Sequence, residues 1–141
     1  MWRACHGEGT RVLLLVHGCL ACAEQYVPLA QQLQPHYRRI WLLDLPGFGV
    51  APALSTPGLA ACLAWLARAL VALALLEGQP VEAVGHSFGA FLLQASLHAY
   101  PGSQPAVRKL ALVSLGALHP HLHLGWHDRW RTVWWGTFFK H

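Results

Sequence analysis

Apolar residues fall along this chain in two alternating textures. Val12-Leu13-Leu14-Leu15-Val16, Arg39 to Leu43, Val81 to Val84 and Lys109 to Leu115 are short aliphatic runs with little or no polar alternation. Such runs suit strands covered on both faces, as in a parallel sheet. Between them the spacing changes to three and four. Tyr26, Leu29, Ala30 and Leu33 share one face of a predicted helix over residues 24–34, which Pro35 stops. A longer apolar stretch, Leu59 to Leu76, follows Pro57 and ends at Gly78-Gln79-Pro80. Ala90 to Tyr100 reads as a third helix, closed by Pro101-Gly102. Strand, helix, strand, helix, strand, helix, strand is the signature of an α/β fold. We therefore expect a parallel sheet of about four strands with flanking helices and right-handed crossovers.

Composition narrows this picture. At 55% hydrophobic and 11% charged, the chain has ample material for a core, which excludes disorder. A net charge of +4 comes from scattered Lys and Arg, so no basic stripe forms and nucleic acid is not an expected partner. Leu59–Leu76 is nearly long enough to span a bilayer, but Arg68 sits at its centre, which favours a buried amphipathic helix. Arg11 to Ala23 imitates a signal-peptide core, yet His17-Gly18 interrupts it. The expected location is cytoplasmic. Cys19 and Cys22 form a lone C-x-x-C with no second pair to complete a zinc site, so free thiols are expected, with no cofactor and no metal.

Three turns fall at predicted carboxyl ends of strands, where ligands bind in such sheets. They are His17-Gly18-Cys19, Asp44-Leu45-Pro46-Gly47-Phe48-Gly49 and Gly85-His86-Ser87-Phe88-Gly89. The last fits G-x-S-x-G between a strand and a helix. A sharp turn there lifts Ser87 above the sheet, Gly85 and Gly89 allow close backbone approach, and the helix beginning at Phe88 offers unpaired N–H groups. The plainer alternative is a glycine-bordered turn whose serine only caps its helix.

From Arg11 to Leu118 the chain resembles the α/β-hydrolase family, through its His-Gly turn, its Asp-Leu-Pro-Gly-Phe-Gly turn, its G-x-S-x-G and the strand that follows. The resemblance implies that Ser87 is the nucleophile. It also implies that the backbone N–H groups of Cys19 and Phe88 hold the oxyanion, with Leu20 an alternative to Cys19. His17, Gly18, Gly85 and Gly89 become supporting residues; Asp44 shapes its loop, and His86 is structural. Domain organisation follows: a short lead over 1–10, a partial core over 11–118, and a His- and Trp-rich tail, or the start of a cap, over 119–141.

The family's triad runs Ser, then Asp or Glu, then His. After Ser87 the only carboxylate is Asp128, with histidines at 98, 119, 121, 123, 127 and 141. No clear acid–histidine pair stands out, and the family's early antiparallel strands and last two strands have no evident counterpart. The expected fold is thus an incomplete α/β-hydrolase, its front half. Asp128 orienting one of His119, His121, His123 or His127 is one conceivable pair. His119-Pro120-His121-Leu122-His123 reads as a loop rather than a metal site. Trp126, Trp130 and Trp134 recur every four residues among Arg129, Arg131 and Lys140, a pattern suited to a membrane surface, an acyl chain or packing against further sequence. The expected function is hydrolysis of an ester, thioester or lipid-like small-molecule acyl substrate. The alternative is a catalytically silent or truncated relative that binds lipid or a partner. A serine at the turn argues against dehalogenase-type chemistry, and the oligomeric state stays open.

Overall fold

The computed structural model describes residues 2–114. Strand β1 (Trp2–His6) leads into β2 (Arg11–Val16), and a 3-10 turn at Ala23–Tyr26 precedes α1 (Val27–Leu33). Then come β3 (Tyr37–Leu43), α2 (Leu59–Glu77), β4 (Val81–His86), α3 (Phe88–Ala99) and β5 (Val107–Val113). They form one five-stranded sheet in the order β1-β3-β2-β4-β5. Four strands are parallel; β1 runs antiparallel to β3, with Arg3 opposite Leu42 and Cys5 opposite Ile40.

The four aliphatic runs fall on the four parallel strands, as their composition predicts, with β5 starting earlier, at Val107, and ending at Val113. The fifth strand is a correction: the lead over residues 1–10 is not empty of structure, and an early antiparallel strand is present. Its sequence, Trp2-Arg3-Ala4-Cys5-His6, has no apolar run because it lies at a sheet edge with Arg3 and His6 exposed. Its stability comes from the ladder with β3 rather than from its own pattern.

Alternation along β2 divides the interior. Val12, Leu14 and Val16 join Leu43, Leu66, Leu70, Val81, Ala83, Leu92 and Leu93 on the face covered by α2 and α3. Leu13 and Leu15 join Ile40, Leu42, Ala23 and Ala30 on the face covered by α1. Burial of β2 on both faces is what an unbroken aliphatic run requires. Helix α1 is shorter than its periodicity suggests, because its first turn is 3-10 and Pro28 opens the α-helical part. By length and composition α2 could cross a membrane. It buries Leu66, Ala67, Leu70, Leu73 and Glu77, packs on α3, and leaves Arg68 exposed.

Four elements are tied together at the amino ends of the parallel strands. Glu82 of β4, with its side chain 8% exposed, accepts hydrogen bonds from Arg11 of β2, Tyr37 of β3 and Arg108 of β5. Glu77, at the end of α2, accepts from Arg38 (2.7 Å), Arg39 (3.0 Å) and the Trp41 indole (2.7 Å), all of β3. Burial pushes the Glu82 carboxyl up. The Tyr37 and Arg108 hydrogen bonds, with the charge and hydrogen bond of Arg11, outweigh it and hold the group below the usual 4.5.

Candidate active site

The opposite, carboxyl end of the sheet is built from backbone. Strand β4 reaches His86, and α3 starts at Phe88, so Ser87 alone must reverse direction between them. It does so at φ 50°, ψ −115°, a region costly for any residue but glycine. Its N–H donates to the Val113 carbonyl at 2.9 Å, fastening the turn to the end of β5. The Ser87 hydroxyl makes no capping hydrogen bond to α3, so helix capping does not explain a serine there.

The two glycines of the motif are required by contact. A Cβ on Gly85 would stand 2.6 Å from Ala90 Cα, inside the first turn of α3. A Cβ on Gly89 would run into the His17 carbonyl oxygen and lie 2.7 Å from that of Val16. Strand β2 and helix α3 therefore meet backbone to backbone, which draws the His17-Gly18 turn over Ser87. A Cβ on Gly18 would lie 3.0 Å from His86 Nδ1 and 3.2 Å from Ser87 Cβ. Gly18, His86 and Ser87 are thus brought together, with Cys19 exposed at the next position and Phe88 half-buried on the other side of Ser87.

His17 is fully buried and both of its ring nitrogens are engaged. Nε2 accepts the Leu45 N–H at 3.0 Å, which places the proton on Nδ1, where it donates to the Gly18 carbonyl at 2.7 Å. The ring also meets Phe48 edge-on at 5.4 Å. His17 braces the β2 turn against the β3 turn and has no lone pair free for Ser87. Asp44 does similar work: Oδ1 accepts the Ala23 N–H at 2.8 Å and Oδ2 the Val50 N–H at 3.3 Å. Its loop-shaping role follows from those bonds. A cleft beside it is lined by Arg3, Cys22, Glu24, Asp44 and Val50, and Arg3 and Glu24 form an ion pair.

Cys19 and Cys22 are free thiols, and among the described residues no group of three or more His, Cys, Asp or Glu could hold a metal ion. His119, His121, His123, His127, Asp128 and the tryptophans at 126, 130 and 134 lie outside the described residues. Sequence reasoning named Leu20 only as an alternative to Cys19 and passed over Ser114; the positive φ that they hold, 58° and 50°, was not expected of either. Neither is a glycine, so no sequence signal marks the left-handed backbone.

The profile of the alpha/beta hydrolase fold matches residues 11–138. Among curated proteins none matches the chain. Solved structures do. An esterase from Thermogutta terrifontis is 22% identical with a TM-score of 0.63, over 79% of this chain and 39% of that one. An N-acyl homoserine lactonase is 21% identical with a TM-score of 0.64, over 80% and 40%. An ancestral haloalkane dehalogenase is 19% identical with a TM-score of 0.65, over 81% and 38%. At such identities the likeness carries the fold and not the reaction, and the chain spans about 40% of the length of the structures it matches. The profile match over most of the chain, with the parallel sheet and the Gly85–Gly89 turn beneath it, establishes that this protein belongs to the alpha/beta-hydrolase fold family.

Proposed function

We propose that the protein is a serine hydrolase acting on an ester, thioester or lipid-like acyl substrate, with Ser87 as nucleophile. The observation that carries the reading is the Ser87 backbone, held at φ 50° with a hydroxyl that caps nothing. Strain of this kind persists where it serves a site. In the proposed reaction Ser87 Oγ attacks the acyl carbonyl, and the N–H groups of Cys19 and Phe88 hold the oxyanion. Phe88 opens α3, so its N–H lacks an intrahelical partner and adds the helix dipole. A histidine later in the chain, oriented by an acid, takes the serine proton and returns it to the leaving group. Serine at this position supports acyl transfer over the carboxylate-nucleophile chemistry of dehalogenases. The proposed partner is a small acyl molecule, not nucleic acid, and the proposed location is cytoplasmic; the packing of α2 on α3, with Leu66, Leu70 and Leu73 buried, supports a core helix over a membrane span.

A second reading, a catalytically silent relative that binds lipid or a partner through the Trp-rich tail, is favoured by one specific observation. Among the described residues the carboxylates of Asp44, Glu77 and Glu82 are committed to the fold, and so is the His17 ring. His86 lies beside Gly18 and Ser87, but among the described residues no hydrogen bond joins it to the Ser87 hydroxyl, and a serine without such a base is a weak nucleophile. Hydrolysis of a p-nitrophenyl ester separates the two. The hydrolase reading expects turnover that disappears in Ser87→Ala, and equal rates in both proteins would favour the silent relative.

A further inference from the structure

The cleft beside Asp44, at the β1 edge of the sheet, gathers groups that the proposed hydrolysis does not use. It holds about 260 Å³, and Arg3, Cys22, Glu24, Asp44 and Gly49 are among the residues that line it. Small-molecule sites start at roughly 300 Å³, so a cleft of this size suits a group no larger than an amino acid. Asp44 spends its two oxygens on the N–H groups of Ala23 and Val50, and Gly49 brings no side chain. The Arg3 guanidinium, the Glu24 carboxylate and the Cys22 thiol are left to meet a ligand.

Arg3 and Glu24 meet each other at 2.6 Å, with side chains 55% and 68% exposed among the described residues. An ion pair so well hydrated contributes little to stability, and its members exchange at small cost for opposite charges on a ligand. A cation and an anion side by side match the carboxylate and the ammonium of an α-amino acid. The thiol is fixed next to them. Cys22 has extended backbone (φ −146°, ψ 169°), its carbonyl accepts the Gln25 N–H at 3.3 Å, and the following N–H is held by Asp44. The other three thiols are placed differently. Cys5 packs on the core beneath α1, and Cys62 on the core shared by α2 and α3, where burial pushes its thiol up. Cys19 is free and lies outside the cleft lining.

We propose that Cys22 is an S-thiolation site for low-molecular-weight disulfides with an α-amino-acid end, which Arg3 and Glu24 dock through its carboxylate and ammonium. The Cys22 thiolate attacks one sulfur of the docked disulfide. A new S–S bond forms to Cys22, the old one breaks, and the departing half leaves as a thiolate that takes up the proton Cys22 has lost. The small disulfide is the oxidant: Cys22 is oxidised to a mixed disulfide and one small thiol is released. Nothing in this step involves Ser87.

The test adds cystine, glutathione disulfide or the uncharged 2-hydroxyethyl disulfide, at equal concentration, to the reduced full chain carrying Cys19→Ser. That substitution removes a thiol three residues away that would displace the adduct. Intact mass and peptide mapping then give the rate and the position of each adduct. With at least one of the two amino-acid disulfides, thiolation of Cys22 is expected about tenfold faster than with the neutral one, the scale of one charge-assisted hydrogen bond. Arg3→Gln should bring the rates together and leave the thermal midpoint in place, because the ion pair it breaks is exposed. Adducts spread evenly over Cys5, Cys22 and Cys62, equal rates with all three disulfides, or a preference untouched by Arg3→Gln would overturn the proposal.

Discussion

The two ends of the sheet are held by different physics. At the amino ends one carboxylate, Glu82, gathers Arg11, Tyr37 and Arg108, and Glu77 gathers Arg38, Arg39 and Trp41. At the carboxyl ends the ties run chiefly to backbone groups: His17 and Asp44 take N–H groups from the neighbouring turns, and Ser87 donates to Val113. The first arrangement pairs both carboxylates, and leaves the buried Arg39 Nε without a hydrogen-bond partner among the described residues. The second keeps three non-glycine residues in left-handed backbone and the Ser87 hydroxyl free of its helix. Ion pairs gather at one end and positive-φ backbone at the other, an arrangement in keeping with the proposed nucleophile.

Breaking the contact between β2 and α3 should have the largest effect. Gly89→Ala places a methyl against the carbonyls of Val16 and His17, so unfolding in urea should show a loss of about 3 kcal/mol, the upper range for overpacking. Ser87-dependent ester hydrolysis should go with it even where the protein stays folded, because the His17-Gly18 turn is pushed off Ser87. Gly102→Ala, at a glycine with open space around it, is the control and should change little.

Breaking the amino-end clamp comes next and should separate the two ends. Glu82→Gln removes the charge shared by Arg11 and Arg108. Loss of a buried partner can cost 3–5 kcal/mol, but both arginines are 40–49% exposed and partly hydrated, so about 2 kcal/mol is expected. Ester hydrolysis per folded molecule should be unchanged. The same residue sets a pH dependence. Because the folded carboxyl lies below its usual 4.5, its stabilising contribution is complete above that value and is lost as pH falls through the folded value. Urea titrations below pH 5 should show a shallower loss of stability in Glu82→Gln than in the wild type.

The smallest expected effect has the opposite sign. Ser87→Gly relieves the φ 50° backbone and should raise stability by about 1 kcal/mol or less, since added freedom in the unfolded chain offsets part of the relief. A stabler protein without ester hydrolysis would sharpen the contrast between the ends. A loss of stability would mean that the Ser87 side chain serves the fold.

Much of this was legible in the residue order. The runs at Val12–Val16 and Val81–Val84 announce strands covered on both sides, and Gly85 to Gly89 announces a turn that two chain segments must approach closely. What escaped is non-local or conformational. Strand β1 exists through its pairing with β3, and no periodicity within Trp2–His6 reveals that. The Glu82 clamp joins Arg11 and Tyr37 from 71 and 45 residues away, so its members read as unrelated surface charges. Leu20 and Ser114 look like ordinary loop residues because left-handed backbone is written into a sequence only when glycine or asparagine carries it.

A fluorophosphonate probe reacts with an activated serine and not with an idle one, so it reads the proposed nucleophile at the carboxyl end of the sheet without any substrate. Covalent labelling of the folded 141-residue chain at Ser87, and none in Ser87→Ala, is expected. A folded wild-type protein that takes up no label, with the same result in Ser87→Ala, would contradict it and leave the strained turn as an inherited scaffold without chemistry.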